Sequence, residues 1–177
     1  MKKLIACLNF LFMWVCMHAQ EPVDYVDPFI GTTNFGTCNP GAVCPNGLMS
    51  VVPFNVMGSE DNTYDKDSRW WSTPYDYTNS YFTGLSHVNL SGVGCPEMGS
   101  LLLMPTAGEL NVDYHHYGSK YEKETASPGY YSLQLTTYNI QEEATATLRP
   151  GLTRFTCPKG QCHILMDPGE GLSTEPG

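Results

Sequence analysis

The side chains best suited to chemistry in this 177-residue chain are carboxylates, a histidine, cysteines and tryptophans gathered between apolar runs. Hydrolysis by general acid and base needs two carboxylates flanking a scissile bond. The loop candidates are Glu60, Asp61, Asp65, Asp67, Asp76 and Glu97. Most fall in "GSEDNTYDKDSRWW", which lacks the ordered D-x-D-x-D-G series of a helix-loop calcium site and so reads as a solvated acidic loop. Glu97 stands alone between Pro96 and Met98. Ser91 in "LSGVG" is not a nucleophile elbow, because Asn89 occupies the place of the first glycine of Gly-x-Ser-x-Gly. His87 and Cys95 are a possible imidazole/thiol pair, but no third group orients them, which favours a structural or ligand-contacting histidine.

Binding is better supported than catalysis. Trp70 and Trp71, then Tyr75, Tyr77 and Tyr81, set broad aromatic faces near the glycine-rich stretch "GLSHVNLSGVGCPEMG", residues 84–99. Aromatic faces beside short polar groups suit a sugar ring, which has apolar faces and a hydroxylated rim. With two tryptophans adjacent, one is expected buried and one outward.

The elements that must position these residues are strands. "LMSVVPFNVM", "LLLMP", "GYYSLQLTTYNI", "ATATLRPGLTRFTC" and "CHILMD" are short, alternating or apolar, and separated by Pro, Gly and Asn. Tyr131, Leu133, Leu135 and Thr137 fall on one face of a half-buried strand, and Ser132, Gln134 and Thr136 on the other. "CPKGQC" reads as a hairpin turn with Gly160 at a positive φ, and "DYHHYG" places His115 and His116 on a polar strand edge. Residues 29–47 and 58–99 read as two long connections, of the kind that carry function. The fold class that follows is all-β: an antiparallel β-sandwich with long loops.

The N-terminus has another job. Lys2 and Lys3 precede an apolar run from Leu4 to Met17, then small and polar residues, the layout of a secretory signal peptide cut near Ala19 or Gln20. A lipid anchor on Cys16 ranks second, since "FMWV" before it is bulky. The expected organisation is a signal peptide over 1–20 and one sandwich domain over 21–177, exported. The formal charge of −9, with no basic cluster, argues against nucleic acid and anionic membrane as partners. Of seven cysteines, Cys38, Cys44, Cys95, Cys157 and Cys162 survive cleavage. Cys38/Cys44 and Cys157/Cys162 are close enough in sequence to bridge short loops, leaving Cys95, and no spacing suggests zinc. Asn89-Leu90-Ser91 is also a glycosylation sequon. After "CHILMD" the chain passes into Gly, Pro and Ser, as either a tail or the start of more protein.

Five segments carry a resemblance, in chain order: "YVDPFIGT" (25–32), "NPGAVCPNGLMSVVPFN" (39–55), "GLSHVNLSGVGCPEMGSLLLMPTAGEL" (84–110), "YEKETASPGYYSLQL" (121–135) and "EATATLRPGLTRFTCP" (143–158). Together they resemble the N-terminal domain of glycoside hydrolase family 92, exported bacterial α-mannosidases. The resemblance implies a sandwich followed by a larger (α/α)6 domain, with the active site at their junction. It implies a Ca2+-dependent, inverting exo-α-mannosidase, in the periplasm or at the cell surface, acting on mannose-containing glycans. The acid and base carboxylates and most calcium contacts would lie in the helical domain, which these residues do not contain. The fragment alone is then expected to be inactive. Motif position assigns Phe35, Asn39, Trp71, His87, Gly94 and Cys95 to the wall of the mannose pocket, with no catalytic or metal residue here. "TCNPGA" departs from the Gly-Asn-Thr-Phe-Pro-Gly-Ala of many relatives, which bears on linkage preference. The rival expectation is a stand-alone carbohydrate-binding module, which would bind mannose without a partner domain.

Overall fold

The computed structural model describes residues 21–33, 36–59, 62, 73–90, 92 and 98–168. Among the described residues a short 3-10 turn, Pro22–Tyr25, precedes ten strands: β1 Ala42–Val43, β2 Ser50–Phe54, β3 Tyr81–Phe82, β4 Gly84–Asn89, β5 Met98–Ala107, β6 Ser119–Ser127, β7 Tyr130–Leu135, β8 Ile140–Ala146, β9 Gly151–Thr156 and β10 Cys162–Asp167. They form two five-stranded antiparallel sheets, ordered β1-β2-β4-β5-β10 and β3-β6-β7-β8-β9. This is the expected sandwich. Among the described residues no helix is long and apolar enough to cross a membrane.

The second sheet follows the alternation. Tyr131, Leu133 and Leu135 of β7 are buried, and with Ile140 and Ala144 of β8 they join Val51, Phe82, Leu85 and Met104 in the main core. Each of the larger aliphatic and Phe side chains contributes roughly 1.5–3 kcal/mol by leaving water. Two-residue and four-residue turns join β6 to β7 and β7 to β8; Gly129 (φ +77°) follows Pro128 in the first, and Asn139 (φ +51°) closes the second. Thr137 falls in that second turn and is exposed, so the buried face ends at Leu135.

Four expectations change. Residues 84–89 are not part of a connection but form β4, hydrogen-bonded between β2 and β5 in the middle of the first sheet. A strand covered on both faces has no polar side to alternate with, so its Gly, Ser and His residues hid it. "CPKGQC" is not a hairpin, because β9 and β10 belong to different sheets. It is an arch between them, pinned by a Cys157–Cys162 disulfide, and Gly160 does take a positive φ of 129°. Cys38 and Cys44 do not bridge: both are free thiols. His115 and His116 lie in a turn before β6, where the His116 ring meets Asp113 Oδ2 at 2.7 Å. That contact holds the Asp113 carboxyl below its ordinary range.

Candidate functional site

Three stretches of the chain are tied to one another by hydrogen bonds. The Gly92 amide donates to the Thr37 carbonyl at 3.0 Å, and the Tyr77 amide donates to the Thr32 carbonyl at 2.9 Å. The Thr73 hydroxyl donates to the Cys38 carbonyl at 3.3 Å, and the rings of Phe29 and Tyr77 pack edge to face at 5.7 Å. The described residues of 29–47 and 73–79, together with Gly92, therefore build one rim.

Of the residues assigned to the pocket wall, Asn39 and His87 are described; Phe35, Trp71, Gly94 and Cys95 lie outside the described residues. Asn39 adjoins Cys38, and its Oδ1 accepts the Gly41 amide at 3.2 Å, fixing a local turn. His87 is 8% exposed on β4, in register with Val51 and Leu101. Its Nδ1 donates to the Leu101 carbonyl at 3.1 Å, and burial pushes its pKa down despite that bond. The ring is thus a neutral, fixed contact and not a charged acid.

Just past His87 the strand breaks register. The pairing slips between His87 and Asn89, and Val88 takes φ +59°, a cost for a β-branched residue. Asn89 holds the break: its amide donates to Ser50 Oγ at 2.7 Å and its Oδ1 accepts Ser86 Oγ at 2.9 Å. Gly99 (φ +82°) must lack a side chain, since a Cβ there would come within 2.9 Å of that Ser86 oxygen. The bulge directs the chain out of the sheet toward Gly92 and Thr37.

Sequence reasoning missed the network that seats residues 73–79. Asn55, buried at the end of β2, donates to the Asp76 carbonyl at 2.9 Å and to Tyr121 Oη at 3.1 Å, and accepts the Asp76 amide at 2.8 Å. Tyr121 in turn donates to the Asn79 carbonyl at 2.8 Å. Farther along β6, Glu124 accepts Tyr75 Oη at 3.0 Å and Tyr131 Oη at 2.6 Å. The register of β6 against β7 slips between Glu122 and Thr125, with Lys123 at φ +53°, and Glu124 sits within that slip. Burial pushes the Glu124 carboxyl up, against the two phenol bonds that favour its charge. Burial and the Glu124 charge push Tyr75 and Tyr131 up, and Tyr121 rises to about 12. The one signal in the sequence was a single polar residue, Asn55, closing the apolar run "SVVPF".

Among the described residues no group of three or more His, Cys, Asp or Glu side chains is placed to hold a metal ion.

Comparison with known proteins gives the rim a context. The chain spans about one fifth of the length of the relatives it matches. A secreted glycosidase of Arthroderma benhamiae, itself uncharacterised, is 32% identical over 150 residues, covering 78% of this chain and 18% of its own. A family GH92 α-mannosidase from Bacteroides thetaiotaomicron superposes with a TM-score of 0.73 at 34% identity, covering 85% of this chain and 20% of that one. The structure of that enzyme in complex with mannoimidazole gives the same TM-score of 0.73. A GH92 glycosyl hydrolase named ccman5 follows at 0.69 and 27% identity, covering 86% and 21%. Residues 25–176 match the Glycosyl hydrolase family 92 N-terminal domain.

Proposed function

Because this chain belongs to glycosyl hydrolase family 92 through its N-terminal domain, we propose that it supplies the sandwich wall of the mannose pocket in an exported exo-α-mannosidase. The enzyme is calcium-dependent and inverting, and it removes mannose from mannose-containing glycans. What carries the reading is the convergence of three stretches through Thr37–Gly92, Thr32–Tyr77 and Cys38–Thr73, in a chain similar to GH92 α-mannosidases.

In an inverting hydrolysis one carboxyl protonates the leaving oxygen while the other takes a proton from a water attacking C1 on the opposite face. Both carboxyls are assigned to an (α/α)6 domain beyond this chain. The residues here bind and orient. With Oδ1 committed to Gly41, Asn39 presents its amide N–H groups to a sugar hydroxyl. His87, neutral and with its Nδ1–H committed to Leu101, brings no charge to the wall. Phe35, Trp71, Gly94 and Cys95 complete the proposed wall.

The test is hydrolysis of an aryl α-mannoside by a polypeptide that joins this domain to a GH92 helical domain, with the product followed by NMR. β-Mannose as the first product supports inversion. Initial α-mannose, or activity from residues 21–177 alone, refutes the assignment. The competing reading, a stand-alone carbohydrate-binding module, predicts saturable mannose binding at the Asn39 and His87 rim without a partner domain.

A further inference from the structure

The outer face of the second sheet carries features that the pocket does not use. Three cross-strand rows run over β7, β8 and β9: Tyr130–Thr145–Leu152, Ser132–Glu143–Arg154 and Gln134–Gln141–Thr156. The alternate residues Tyr131, Leu133, Ile140 and Ala144 are buried in the core, so these rows lie on the outer face, where Ser132 alone of the nine is itself buried. Rows two residues apart stand about 6.6 Å from each other, so the three span about 13 Å, room for more than one sugar ring.

Two depressions mark the same face. One, of about 200 Å³, is lined by Tyr130, Glu143, Thr145, Leu152 and Arg154. The other, of about 130 Å³, is lined by Lys123, Ser132, Gln134 and Gln141. In the first, Arg154 grips Glu143 with two donors, Nε to Oε2 at 2.6 Å and Nη2 to Oε1 at 2.5 Å, and Tyr130 Oη donates to Oε1 at 2.8 Å. The fork and the phenol hold one another in place, which lowers the entropy cost of using them. Three guanidinium N–H groups remain beyond those two bonds.

The chemistry selects a ligand. Glu143 and Arg154 neutralise each other, and Lys123 lies 3.6 Å from Glu122, so the face is polar without a net field for an anion. It offers an amphipathic ring, amides and hydroxyls along a groove, which suits an uncharged chain of pyranose rings. It does not resemble a protein-docking face, since Leu152 is its one strongly exposed aliphatic residue, whereas Ile164 and Met166 are exposed on β10. We propose that this face is a second glycan-binding surface, separate from the rim at Asn39 and His87, which holds a neutral oligosaccharide away from the reacting bond. The choice of an α-linked mannose oligosaccharide rests on the functional reading above.

The test is an amide NMR titration of the 177-residue chain with linear α-linked mannotriose. Expected are saturable shifts at Tyr130, Gln134, Gln141, Thr145 and Arg154, with Asn39 and His87 unmoved. Tyr130→Ala should weaken binding about tenfold. Gln141→Ala, an exposed polar change that leaves the core untouched, should weaken it about threefold. Absence of shifts on this face overturns the proposal and leaves the α-mannosidase assignment standing. Shifts confined to Asn39 and His87 overturn it as well, and favour the binding-module reading instead. Unchanged affinity in a folded Gln141→Ala together with Tyr130→Ala also overturns it.

Discussion

Asn55 and Asp76 are joined twice: the Asn55 side chain donates to the Asp76 carbonyl at 2.9 Å and accepts the Asp76 amide at 2.8 Å. A buried amide that mimics a neighbouring strand in this way fixes the segment opposite it as firmly as a ladder would. Through it the end of β2 sets the position of residues 73–79, and so one third of the rim.

Removing that amide should be costly. Asn55→Ala leaves the Asp76 amide and carbonyl and the Tyr121 hydroxyl short of partners, and we expect a loss of roughly 3 kcal/mol. Urea unfolding checks it. A loss under 1 kcal/mol would show that the segment is held by something else.

A second prediction concerns pH. Glu142 is fully buried beside Ile140 and Ala144, and among the described residues neither of its oxygens has a hydrogen-bond partner. Desolvation raises its pKa well above the ordinary carboxylate value, and burial raises Glu124 too. A carboxyl with a raised folded-state pKa keeps its proton in the native state where the unfolded chain has released it. Its contribution is complete below the unfolded pKa, about 4.5, and falls as pH rises toward the folded value, by up to about 1.4 kcal/mol per pH unit. Glu142→Leu should therefore raise stability at neutral pH and flatten the decline that sets in as pH rises past the unfolded value. Denaturation series at several pH values measure both; an unchanged slope contradicts the assignment.

A third prediction concerns thiols. Cys157→Ser opens the arch between the sheets and should cost about 2 kcal/mol, the value for so short a loop. Cys38→Ser, at an exposed free thiol, should cost nothing measurable. Equal losses in thermal unfolding would mean that Cys38 is paired after all.

How far the sequence alone reaches depends on which forces leave a periodic trace. β7 was legible because Tyr131, Leu133 and Leu135 recur at every second position, although Ser132 between them is buried as well, whereas β8 was divided between the runs ending at Ile140 and starting at Ala144. β4 was not, since Ser86 and His87 are both buried and supply no polar side. β6, "SKYEKETAS", was missed because most of its side chains are polar and its register slips at Glu122 to Thr125. The site divided likewise. Asn39 and His87 were named from motifs and stand as proposed contacts, whereas the Asn55, Tyr121 and Glu124 network depends on long-range hydrogen bonds that no local spacing encodes. The Cys38/Cys44 pairing failed for the same reason, because sequence proximity does not set the direction of a Cβ.

The central claim is that this sandwich forms one wall of a mannosidase pocket. The most direct measurement replaces the sandwich of the Bacteroides thetaiotaomicron GH92 α-mannosidase with residues 21–177, keeping the remaining four fifths of that enzyme, and follows kcat/KM on an aryl α-mannoside. We predict turnover by the chimera, none by residues 21–177 alone, and a drop of about tenfold for Asn39→Ala or His87→Ala within it. A chimera that melts cooperatively yet is inactive, or one indifferent to both substitutions, would contradict the account.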